Sequence, residues 1–179
     1  MIAVLLAGCT PLPGTSSGSL IPTASTVSTA APTSEGAIGD LQEFTESSAS
    51  GELKAGFAIK LLSVTKIESS DPGFFAVRIL LEYSVQAGTK TSYPQLDFTA
   101  FNDSGTPLEA ALTLGGQFIT ADTFTLNVGN RKSTQLIYLV SVGTKEVILN
   151  YQPGALAGNL PIGTWMFSID ELPQESLAP

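Results

Sequence analysis

Between Phe75 and Val85 every second residue is large and apolar: Phe75, Val77, Ile79, Leu81, Tyr83 and Val85 share one phase, while Arg78, Glu82, Ser84 and then Gln86 take the other. A period of two sends alternate side chains to opposite faces of an extended strand, and no helix can present them that way. The same texture returns along the chain. It is seen at Leu96, Phe98 and Ala100, at Phe124, Leu126 and Val128, at Val147, Leu149 and Tyr151, and at Trp165, Phe167 and Ile169. Phe57, Ile59 and Leu61 alternate too, but the apolar phase then moves to Leu62 and Val64, which predicts a bulge. Leu136 to Val142 is apolar in both phases, as in a central strand covered on each side. Asn102-Asp-Ser-Gly105 and Gly129-Asn130 supply turns. Seven or more short strands with no long helical period predict an all-β fold, an antiparallel β-sandwich over residues 51–172 with a C-terminal tail at 173–179. A closed barrel is the other arrangement open to this pattern.

The inventory closes most routes to chemistry. The 179 residues include no histidine and one cysteine, which excludes imidazole bases, His-ligated metals and an internal disulfide. The net charge of -8, with 8 basic and 16 acidic residues, offers no cationic surface for nucleic acid. The expectation is therefore no enzyme, no catalytic residue, no metal and no cofactor.

The first nine residues are an apolar run ending in Leu6-Ala7-Gly8-Cys9. This tetrapeptide resembles the lipobox of bacterial lipoproteins, in which the leader is cut before a cysteine whose thiol carries diacylglycerol. The resemblance implies that Cys9 is the mature N-terminus and that residues 1–8 are a truncated signal segment. Such a segment should open with Lys or Arg, yet none precedes Lys54, so an upstream basic stretch is expected beyond Met1. Residues 10–50 hold 16 Ser/Thr, four Pro, four Gly and no Lys or Arg. That composition buries too little surface to offset its ordering entropy, so 9–50 reads as a disordered, lipid-anchored linker, with a helical turn expected at Asp40–Glu46.

Three stretches carry a further resemblance: Phe75 to Val85, Leu96-Asp-Phe-Thr-Ala-Phe-Asn-Asp-Ser-Gly105, and Thr125 to Val140 with its Gly129 turn. Together they resemble the telokin-like immunoglobulin-fold domain of unknown function found in bacterial lipoproteins and in related secreted mycobacterial immunoprotective antigens. Gln86 stands near the family's Asn, and Gln135 replaces a glycine common there. The resemblance implies an immunoglobulin-like sandwich and no shared catalytic residues.

Several constellations yield to structural readings. Ser63-Val-Thr-Lys66 has the Ser-x-x-Lys spacing of penicillin-recognising enzymes, but on a strand its ends point to opposite faces. Asp97 with Asp103, or Asp170 with Glu171, do not converge from strands and turns as paired carboxylates must. Asn102–Gly105 lacks the acidic register of a calcium loop and reads as a turn. Trp165 shares the phase of Phe167 and Ile169, so it belongs to the core more than to a sugar platform, the role also weighed for Tyr138.

Phe74, Leu80, Phe101 and Met166 fall off the inward phase. With Tyr93, Phe74 and Phe101 are the candidate interaction residues, since aromatic anchors dominate interfaces. The expected function is a lipid-anchored cell-surface module, extracytoplasmic and outward-facing, that binds an unknown protein or envelope polymer without catalysis. An accessory subunit of a larger membrane or extracellular complex is the alternative, and an envelope glycan hydrolase the third. The membrane is met through the lipid on Cys9 alone.

Overall fold

A computed structural model describes residues 35–48, 50–69, 71–111, 113–114, 117–118, 122–153 and 161–175. Cys9, the signal segment and most of the expected linker lie outside them.

The chain forms two β-sheets packed face to face. The smaller has the order β1 (Glu35–Gly36), β12 (Gly163–Ser168), β11 (Glu146–Tyr151), β5 (Phe98–Asn102). The larger runs β13 (Gln174–Glu175), β3 (Leu53–Glu68), β4 (Phe74–Ser92), β10 (Arg131–Ser141), β6 (Glu109–Ala110). In addition β2 (Leu41–Ser47) pairs with β3 and β9 (Phe124–Asn127) with the far end of β4. A small hairpin joins β7 (Thr113–Leu114) to β8 (Gln117–Phe118). Pairing is antiparallel except where β1 meets β12 and β13 meets β3. The antiparallel sandwich is thus the observed architecture.

Alternation maps directly onto burial. Phe75, Val77, Ile79, Leu81, Tyr83 and Val85 face Val147, Leu149, Tyr151, Trp165 and Phe167 across the core. Each fully buried large side chain contributes roughly 1.5–3 kcal/mol. The β3 bulge lies where the phase change placed it, with a register shift between Leu61 and Ser63 that leaves Leu62 as the extra residue. β10 is apolar in both phases because its outer face is also covered: Ile137 and Leu139 pack with Ile67, Ala76 and Ala111 in a second cluster.

Four expectations are corrected. Residues 41–47 form no helical turn. They form β2, alternating exposed and buried, with Phe44 packed on Phe57, Tyr151 and Trp165 at ring-centroid distances of 5.5, 4.9 and 6.5 Å. The body therefore includes β1 and β2, which the expected linker 9–50 had taken in, because Gln42 and Phe44 bury more than the flanking serines suggest. At the other end β13 extends it past 172, since Gln174 and Glu175 pair with Lys66 and Ile67. Lastly, Leu96 and Asp97 are not strand residues. Pro94 opens one helical turn, α1 (Pro94–Asp97), in which the Tyr93 carbonyl accepts the N–H groups of Leu96 (2.7 Å) and Asp97 (2.8 Å). This inverts the expected phase, leaving Leu96 exposed and Asp97 buried.

Candidate interaction surfaces

β4 changes phase near its end. The register slips between Gly56 and Phe57, so that Gln86 is unpaired with β3, and beyond it Lys90 and Ser92 turn inward where odd-numbered residues had done so. Gly88 makes this turn with φ +68, and a Cβ there would lie 1.9 Å from the Lys54 carbonyl oxygen. The inward turn sets polar groups at one end of the core. Lys90, its side chain 3% exposed, pairs with Glu46 of β2 and lies 4.8 Å from the Phe57 ring centroid. Ser92 Oγ donates to Asp97 Oδ2 (2.7 Å) and sits 3.1 Å from Tyr83 Oη, while the Tyr93 N–H donates to the same carboxylate (2.9 Å). Burial pushes the phenols of Tyr83, Tyr138 and Tyr151 well above the ordinary tyrosine range. These groups hold strands together. Glu46 ties β2 to β4, Asp97 ties α1 to β4, and Gln42 Nε2 reaches the Thr164 carbonyl (2.7 Å) in the other sheet.

The sandwich has two poles. At the first lie α1, the start of β3, and the pairs Tyr151 with Gly163 and Tyr151 with Phe98. The chain enters the body here, since Glu35 pairs with Thr164 and β1 runs parallel to β12. At the second pole lie the end of β3, the start of β4, the end of β10 and the β5–β6 loop. β5 runs the length of the smaller sheet from Phe98 at the first pole to Asn102 at the second, so across that sheet the poles stand about 15 Å apart at a rise of about 3.3 Å per residue.

A groove of about 390 Å³ opens at the second pole. Phe74, 44% exposed, together with Leu108 and Leu139 supplies its apolar surface, and its charged lining residues are Asp71 and Glu109. Local chemistry fixes this shape. Asp71 Oδ1 accepts the Gly73 N–H (2.8 Å) and turns the chain from β3 into β4. Asn102 Oδ1 accepts the N–H groups of Ser104 (3.1 Å) and Thr106 (2.8 Å), folding Asn102–Gly105 as the turn its sequence suggested. Asp103, Glu146 and Asp170 border the same pole, against Lys66 and Lys145.

Phe74, Tyr93 and Phe101 do not share a surface. Phe74 stands at the groove, and Tyr93, 49% exposed beside Leu96, marks the opposite pole. Phe101 occupies the outer face of the smaller sheet, where Ile148 lies across from it and Met166 across from Ile148, making a half-buried apolar row. Leu80 lies on the outer face of the larger sheet. Trp165 and Tyr138 are buried and stack on nothing external. Ser63 and Lys66 are three positions apart on β3, and Asp97 is sealed away from Asp103. Among the described residues no group of three or more acidic or cysteine side chains is placed to hold a metal ion, and no helix is long and apolar enough to cross a membrane. The groove escaped sequence reasoning because its walls come from four separated segments. Only Phe74 announced itself.

No protein-family model matches the chain, and no curated protein matches it significantly. Among solved structures it is similar to the secreted protein MPT63 of Mycobacterium tuberculosis, at 16% identity and a TM-score of 0.51, covering 76% of this chain and 98% of that one. A Staphylococcus aureus protein assigned as a lipoprotein matches at 10% identity and 0.51, covering 76% and 100%. The Bacillus subtilis protein YcdA, also assigned as a lipoprotein, matches at 16% identity and 0.46; 63% of this chain is covered, and it spans 36% of the length of YcdA. At these identities the likeness is one of fold.

Proposed function

We propose that this protein is a lipid-anchored, extracytoplasmic module whose β-sandwich binds a partner without turning anything over. Cys9 carries diacylglycerol, and the Ser/Thr/Pro-rich stretch that follows it links the lipid to the body, which includes β1 and β2. The observation that carries the binding role is the division of labour among polar groups. Lys90, Glu46, Ser92 and Asp97 are spent on joining strands, while a groove with Phe74, Leu108 and Leu139 in its lining and two carboxylates beside them stays open at the surface. Catalysis near neutral pH needs a tuned acid, base or nucleophile facing substrate; binding needs only shape, apolar area and complementary charge. The shared fold with a secreted protein and with a protein assigned as a lipoprotein supports an extracytoplasmic place.

The test is detergent phase partition of the protein expressed with a complete leader, followed by incubation of the purified material with glycan and peptide panels. We expect partition into detergent and no turnover above background. Recovery in the aqueous phase would overturn the anchor, and hydrolysis of any panel member would overturn the non-catalytic role.

A further inference from the structure

We infer that the groove at the second pole is a docking site for a basic, apolar segment of a partner protein, one that lays a Leu- or Phe-like side chain on Phe74, Leu108 and Leu139 and sets Lys or Arg beside Asp71 and Glu109. This deepens the binding role proposed above and rests on it. The chemistry of the occupant follows from the lining. Phe74 is a large aromatic left 44% exposed at a concave site, the arrangement that marks interface anchors. Both charged lining residues, Asp71 and Glu109, are acidic and no basic residue lines the groove, while Asp103, Glu146 and Asp170 at the same pole stand against Lys66 and Lys145. An anionic polymer or an anionic membrane surface would be repelled, whereas a segment alternating apolar and basic side chains meets both features. A volume of about 390 Å³ lies toward the small end of binding pockets, which run from about 300 to 1,000 Å³, and suits a few side chains better than a bulky ligand.

Topology leaves the groove accessible at one corner. The pairing of β10 thins here. β6 pairs with Tyr138 and Leu139, but the chain just before it, at Pro107, bridges to Phe101 in the other sheet. The corner between the sheets is thereby left open beside Leu139 and Ser141, two of the groove's lining residues.

Fluorescence anisotropy with the full-length, unacylated chain tests this, using a labelled peptide that alternates leucine with arginine and a second that alternates leucine with glutamate. The wild type should bind the arginine peptide and not the glutamate one. Glu109→Lys should weaken binding about tenfold, and Phe74→Ser by a similar factor. Glu52→Lys changes net charge equally but lies exposed in the β2–β3 turn at the other pole, and should leave affinity within about twofold. Unchanged urea midpoints will show that the variants fold. No binding of the arginine peptide, equal binding of the glutamate peptide, or equal losses in Glu109→Lys and Glu52→Lys would each overturn the assignment. Because the measurement is made without lipid, these outcomes are separate from the fate of the anchor.

Discussion

Replacing Glu46 by Gln probes the least ordinary contact in the core. The Lys90 side chain is 3% exposed while that of Glu46 is 21% exposed, so the two partners stand differently toward water. Glu46→Gln keeps the shape but leaves an ammonium sealed among Phe57, Tyr151 and a neutral amide. Loss of one partner from a buried pair costs about 3–5 kcal/mol, and the partial access of solvent on the Glu46 side favours the lower end, about 3 kcal/mol. Lys90→Met strands a carboxylate that can turn toward water, at about 1 kcal/mol. The double variant contains no buried charge and should return to within about 1 kcal/mol of wild type, giving a coupling energy of about 3 kcal/mol. Urea unfolding followed by circular dichroism reads this directly: with a slope of about 2 kcal/mol per M, Glu46→Gln should lower the midpoint by about 1.5 M. Simple addition of the two single effects, or equal costs for both, would refute the view that Glu46 exists to neutralise Lys90.

Other consequences follow from the same end of the molecule. Gly88→Ala must place a Cβ 1.9 Å from the Lys54 carbonyl at positive φ, so it should cost about 3 kcal/mol or more, seen as a thermal midpoint about 10 °C lower. Burial raises the pKa of Tyr83, Tyr138 and Tyr151 in the folded state above the unfolded value of 10.0. Their contribution is whole below pH 10 and is lost as pH rises above it, at up to about 4 kcal/mol per pH unit for three phenols; tyrosinate absorbance and loss of fold should therefore rise together. Limited proteolysis should trim the Ser/Thr/Pro-rich N-terminal stretch and stop near Glu35, since β1 and β2 are paired in the sheets; a stable fragment starting at residue 51 would contradict the place of β2 in the body.

The strand set was legible because its signal is local. The alternation of Phe75–Val85, the bulge after Leu61 and the turn at Asn102 each depend on neighbours within a few residues, and each reappears in the structure. What sequence could not show depended on distant partners. Leu41–Ser47 looks like linker because its one buried aromatic, Phe44, gains meaning only beside Phe57, Tyr151 and Trp165, and Gly163 admits Phe44 where a Cβ would come within 2.7 Å. Lys90 reads as a surface charge on an alternating strand, and only the Gln86 bulge and Gly88 reverse its face. Off-phase position or exposure along the chain finds Phe74 but does not reveal that Tyr93 lies at the other pole. Even the Pro94 turn that buries Asp97 was visible only as a proline, and its effect on Leu96 required the Tyr93 carbonyl as acceptor.

Attachment through Cys9 is tested most directly by intact mass analysis of the mature N-terminus. Expressed with a complete leader in a bacterial host, the protein should begin at Cys9 and carry the added mass of a diacylglycerol, with Cys9→Ser abolishing both the modification and recovery with membranes. A mature chain that retains residues before Cys9, or that carries an unmodified thiol, would contradict it.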